Sequence, residues 1–143
     1  MDEVVSLIRN SEADIYGICF GHQIICAAFG GTIERDEKNH AFMAEVTYAN
    51  GTKANQLFTH QDFVTDSGEM KAVASTEHCK IAACRHPTKP NRSVQFHLGA
   101  MEDVLDYALN CGEMSEQERR SFGDANQDQD VASALIYAEE MFD

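Results

Sequence analysis

Gly17-Ile18-Cys19-Phe20-Gly21-His22-Gln23 is the stretch on which the reading of this chain turns. Before it, Asp14 to Ile18 reads as a short strand running into Cys19. After it, Phe20 to Phe29 reads as a helix, stopped by Gly30-Gly31. A G-x-C-x-G pattern between a strand and a helix is the setting of a nucleophile elbow. Both flanking glycines are expected to be required, because a Cβ at either place would meet neighbouring backbone. The thiol would sit at a helix N-terminus, where N–H groups and the dipole favour an anion and make the thiolate accessible near neutral pH. The N–H of Phe20 would point at a carbonyl oxygen under attack and form half of an oxyanion hole. The competing reading is a buried cysteine before an ordinary glycine-rich turn.

Ahead of the elbow strand, Val4, Val5, Leu7 and Ile8 suggest a short helix. The middle is strand-rich, with candidates at Thr32–Glu34, Phe42–Tyr48, Gln56–Thr59, Lys71–Ser75, Lys80–Arg85 and Ser93–Phe96. Asn50-Gly51 and Asp66-Ser67-Gly68 mark turns. Beyond His97, Val104, Leu105, Ala108 and Leu109 repeat at helix spacing. Ser115 followed by Glu118 resembles a capping box, and Val131, Ala134, Leu135, Ala138, Met141 and Phe142 form one apolar stripe. Strands interleaved with helices predict an α/β layered domain.

A thiol nucleophile needs a proton acceptor, usually histidine. Of the six histidines, His97 stands out. It ends the strand Ser93-Val94-Gln95-Phe96, and in a parallel sheet the strand ends gather on one side, where the imidazole can meet Cys19. His60 follows the strand Gln56–Thr59 and could line the same pocket. His22, one helical turn after Cys19, is expected to hydrogen-bond locally. Val94 and Gln95 read as structural strand residues.

The chain has 143 residues, enough for one domain with a buried core. Net charge is −13 and unevenly spread: residues 1–101 carry 12 acids and 9 bases, whereas residues 102–143 carry 12 acids and only 2 bases. That opposes nucleic-acid binding through a basic surface and docking on anionic lipid. The apolar run Ile24 to Phe29 is far short of the roughly 20 residues of a membrane span, and Met1-Asp2-Glu3 lacks a basic n-region. Five cysteines, an odd number set in apolar segments, fit a reduced, cytoplasmic compartment. His78, Cys79, Cys84 and His86 flank one predicted strand on alternate faces, so no metal site is expected there. Cys26 reads as core. Without a phosphate-binding loop motif, no cofactor is expected.

The motifs together resemble those of class I glutamine amidotransferases. Gly17 to Gln23 is similar to that family's nucleophile motif, Ser93-Val94-Gln95-Phe96-His97 to its histidine motif, and Thr59-His60-Gln61-Asp62 to its Ser-His-Gly-Asp stretch. The resemblance covers about residues 3 to 110 and implies a flavodoxin-like three-layer α/β domain over 1–110, incomplete at the amino end. Residues 111–143 would form an acidic helical extension packed on it. It implies that Cys19 attacks the side-chain amide of glutamine, forming a thioester that is hydrolysed to glutamate. His97 would protonate the leaving ammonia and then activate water. Gln23 matches a position that helps hold the glutamine. Ammonia would pass to a synthase domain or subunit.

Three departures bear on this. The family's His-Pro-Glu is here His97-Leu98-Gly99, so the orienting carboxylate is absent and Glu102 is the candidate substitute acid. A glycine-rich loop carrying the second oxyanion donor would precede Met1, leaving the elbow strand with an uncovered edge; the readings are a fragment of a longer gene product, a small degenerate relative completed by self-association, or one completed by a partner. Gln61 stands where the family has glycine and is expected to narrow the glutamine pocket. Two alternatives accompany the amidotransferase reading: a catalytically silent binding or regulatory protein, and a γ-glutamyl peptide hydrolase.

Overall fold

A computed structural model describes residues 1–97, 106–107, 109–112 and 115–121. The element order is α1 (Asp2–Asn10), β1 (Ile15–Ile18), α2 (Phe20–Ala28), β2 (Thr32–Tyr48), β3 (Lys53–Asp66), β4 (Lys71–Ser75), β5 (Ala83–Arg85), β6 (Asn91–Val94) and α3 (Glu116–Ser121). The six strands form one sheet in the order β1-β6-β5-β4-β2-β3. Only β1 and β6 run parallel; the other neighbours are antiparallel. Among the described residues β1 pairs with β6 alone and forms one edge, as expected of the elbow strand.

The early elements fall where the sequence pattern places them. The middle does not. Thr32–Glu34 and Phe42–Tyr48 are parts of one long strand, and β3 extends the predicted Gln56–Thr59 in both directions to build a long hairpin around Gly51. The charged run Glu34 to Lys38 hides this continuity because it breaks apolar alternation. There the register shifts between Arg35 and His40, and His40 Nε2 lies 2.7 Å from Asp36 Oδ2. β5 keeps only the last half of the predicted Lys80–Arg85.

Successive side chains on β5 and β6 face opposite ways. Cys84 joins Ile8, Ile25, Cys26, Phe29, Val64 and Met70 in the core beneath α1 and α2. Ala83 and Val94 join Val46, Tyr48, Phe58 and Phe96 in a second cluster. The Arg9 guanidinium ties α1 to α2 by donating to the Ala28 carbonyl at 2.7 Å. α3 begins directly after Ser115, whose carbonyl accepts from the Arg119 N–H at 2.9 Å. The predicted stripe Val131–Phe142, Val104, Leu105 and Ala108 of the next predicted helix, and Gly99 and Glu102 lie outside the described residues. No helix among the described residues is long and apolar enough to cross a membrane.

Candidate active site

Cys19 caps α2 with φ 55° and ψ −106°. Among the described residues it is the one non-glycine with positive φ. Such a conformation costs on the order of 1–3 kcal/mol and persists only where the surroundings impose it. Here the Cys19 N–H donates to the Val94 carbonyl at 2.9 Å, while its own carbonyl accepts from the His22 N–H at 3.1 Å. Gly17 makes the turn possible: a Cβ there would lie 2.5 Å from the backbone C and O of Gly21 and 2.7 Å from Ile25 Cδ1. At Gly21 a Cβ would meet nothing within 4 Å. The expectation of two obligatory glycines is thus corrected to one, because the close approach is that of β1 onto the first turn of α2.

The Cys19 sulfur lies 3.5 Å from the carbonyl oxygen of Thr59 and 3.7 Å from Gln95 Nε2. The Phe20 N–H also turns toward it. Burial pushes the thiol above its ordinary value, and the Phe20 N–H and Gln95 amide only partly offset that. The expected thiolate near neutral pH is corrected accordingly: in this arrangement the loss of hydration outweighs the donors at the helix N-terminus.

His97 arrives from the opposite direction. Its N–H donates to the Leu57 carbonyl at 2.9 Å, an isolated antiparallel bridge that carries the chain beyond β6 to the side of β3. Its ring donates to the carbonyl of Thr59, two residues further along. Burial holds this imidazole below its ordinary value, so its neutral form is favoured. Cys19 and His97 therefore share one backbone oxygen, that of Thr59, with the Phe20 N–H beside the sulfur.

Gln23 and His60 are both buried. The Gln23 side chain is buried, and its Nε2 donates to the Asp62 carbonyl at 2.9 Å and to Gln95 Oε1 at 3.2 Å. It is engaged inside the protein. His60 lies within β3, paired across the ladder with His40. Its Nδ1 is 2.9 Å from the Asp62 carbonyl and its Nε2 3.4 Å from His78 Nε2. Its ring belongs to a group with His40, His78, Phe58 and Phe63. Gln61 turns to β2, accepting from Arg35 at 2.6 Å and donating to the Asp36 carbonyl at 3.0 Å.

Gln95 is the site residue that the strand reading passes over. It is fully buried and links Gln23 to the Cys19 sulfur. The signal for it is the alternation of Ser93, Gln95 and His97 with Val94 and Phe96: polar groups at every second position of a strand buried on both faces need partners.

The glutamine amidotransferase class-I family model matches residues 1–107. The chain belongs to the class I glutamine amidotransferase family. Among its curated relatives, a glutamine-hydrolysing GMP synthase subunit of Methanocaldococcus jannaschii is 33% identical over 105 residues, 65% of this chain and 54% of that protein. The protein of the same name from Methanococcus aeolicus is 33% identical over 130 residues, 78% of this chain and 68% of the relative. This amidotransferase chain thus spans between about half and two thirds of those relatives' length. Its fold is similar to that of a glutamine amido transferase from Methylobacillus flagellatus, with a TM-score of 0.74 at 15% identity over 99% of this chain and 67% of that one. A glutamine amidotransferase from Thermotoga maritima gives 0.69 at 13% identity, covering 97% and 62%.

Proposed function

We propose that this amidotransferase chain hydrolyses the side-chain amide of glutamine through Cys19 and delivers the ammonia to a synthase partner, as the names of its GMP synthase relatives suggest. The observation that supports it best is the strained Cys19 turn, whose sulfur shares the Thr59 carbonyl with the ring of His97. The chemistry follows from those groups. The Cys19 S–H gives its proton to the neutral imidazole of His97, and the sulfur attacks the amide carbon. The Phe20 N–H, beside the sulfur, turns to the oxygen that takes up the charge. The imidazolium hands the proton to the departing nitrogen, ammonia leaves, and a glutamyl thioester remains. Water, deprotonated by His97, cleaves it to glutamate and restores the thiol. Ammonia released from glutamine by the purified chain, and lost in both Cys19→Ala and His97→Ala, tests this. Release equal in wild type and Cys19→Ala would sink it.

One observation favours the silent-partner reading: burial raises the thiol and lowers the imidazole, so both rest in their neutral forms. That reading requires a folded chain that binds a synthase partner yet releases no ammonia in the complex. A γ-glutamyl peptide hydrolase would use the same elbow and is separated by comparing glutamine with γ-glutamyl dipeptides.

A further inference from the structure

Beneath α2, away from the Cys19 thiol, three metal-ligating side chains meet in the core. His22 and Cys26 lie one helical turn apart on the same face of α2. Cys84 on β5 and Ser93 on β6 are cross-strand partners on the sheet face below. The ligand atoms of His22, Cys26 and Cys84 all lie within 4.8 Å of one another, and all three residues are fully buried. Cys26 Sγ is 4.0 Å from His22 Nδ1.

The tautomer of His22 is decided by its neighbours. Nε2 lies 3.1 Å from the Ile81 carbonyl, which can only accept, so Nε2 carries the hydrogen. Nδ1 therefore presents its lone pair to the two thiols and to Ser93 Oγ, 2.8 Å away. A carbonyl that holds one ring nitrogen while the other faces a soft donor pair is how proteins aim a histidine at a metal. One nitrogen and two sulfurs are three of the four donors of a tetrahedral zinc site, and the Ser93 hydroxyl lies beside the remaining position. Bonds of about 2.0 Å to nitrogen and 2.3 Å to sulfur bring such donors within roughly 4 Å of each other. Small side-chain rotations reach that from the observed spacing.

We propose that His22, Cys26 and Cys84, with Ser93 beside them, form a buried site for a zinc-class divalent cation that fastens the elbow helix to β5 and β6. On binding, the two S–H bonds break, two metal–sulfur bonds and one metal–nitrogen bond form, and two protons go to solvent. Affinity therefore rises with pH. The site is independent of glutamine hydrolysis: it concerns what holds α2, whose N-cap is Cys19.

The test uses cobalt(II) as the probe on the fully reduced full chain, added both to folded protein and during refolding from urea. The expected result is a thiolate-to-cobalt charge-transfer band with tetrahedral ligand-field bands, saturating at one ion per chain and displaced by Zn2+. Cys26→Ser and Cys84→Ser should each weaken binding by at least about tenfold, while Cys111→Ser leaves it unchanged. Wild type alone can overturn the proposal: folded, reduced protein that shows no charge-transfer band under either protocol does so. A band that survives in the Cys26→Ser/Cys84→Ser double variant does so as well, since the ion would then sit on other cysteines.

Discussion

Cys19 and His97 reach for the same acceptor, the carbonyl oxygen of Thr59: the sulfur stands 3.5 Å from it and the imidazole also donates to it. A hydrogen bond from the thiol requires that the proton be on sulfur. The arrangement is thus a protonated resting site, with the nucleophile and its base held on a common backbone group rather than already joined as an ion pair. Transfer of the proton from sulfur to imidazole requires the thiol to let go of Thr59, whereas the imidazole accepts on its other ring nitrogen and can keep its own donation.

Thiol reactivity follows directly. Cys19 should alkylate slowly at neutral pH, with its rate rising through a pH above that of an ordinary free thiol, because burial raises it. The Gln95 amide pulls the other way, so Gln95→Leu should move the profile further up. Loss of one hydrogen bond of about 1–1.5 kcal/mol is worth about one pH unit, or roughly tenfold in rate below the midpoint. Iodoacetamide kinetics across pH, with digestion to follow the Cys19 peptide, measures both. A profile that Gln95→Leu leaves in place contradicts the contact.

The elbow glycines should behave asymmetrically. Gly17→Ala puts a Cβ 2.5 Å from Gly21 backbone and should cost about 1–3 kcal/mol or more. Gly21→Ala finds open space on a helix and should be neutral or stabilising by up to about 1 kcal/mol. Urea unfolding of the two variants checks this, and equal destabilisation would contradict the close approach of β1 to α2.

The histidine group gives the protein a pH-dependent stability. Burial lowers His60, and lowers His78 to about 4 from an ordinary value of 6.5. The unfolded chain therefore binds protons that the folded chain refuses, so stability rises with pH across that window. It is fully present above about 6.5 and is lost progressively as pH falls toward 4. His97 shifts in the same direction. Thermal melts from pH 7 to pH 4 should show a falling midpoint, with a shallower fall in His78→Gln. An unchanged slope in that variant would show that His78 does not carry the effect.

What could be read in the residues and what could not divides along physical lines. The elbow was legible because Gly17, Cys19 and the apolar run after them are local signals, and β1 and α2 form where those signals lie. The route of His97 was not legible: it comes to the Thr59 carbonyl by bridging to Leu57, a contact between distant stretches that no periodicity encodes. The length of β2 was masked by Asp36 and its charged neighbours, which face solvent in the hairpin. The partners of Gln23, the Asp62 carbonyl and the Gln95 amide, were not legible, because both come from distant stretches of the chain. The raised thiol was missed because burial, which outweighs the helix terminus there, belongs to tertiary packing.

Covalent capture of the nucleophile addresses Cys19 itself. A glutamine analogue with an electrophilic carbon at the γ position is incubated with the reduced chain, and the labelled peptide is identified by mass spectrometry. One label per chain is expected, on Cys19, slowed by competing glutamine and absent in Cys19→Ala. A folded chain that remains unlabelled, or that carries the label on Cys79 or Cys111 instead, would show that Cys19 is not the nucleophile.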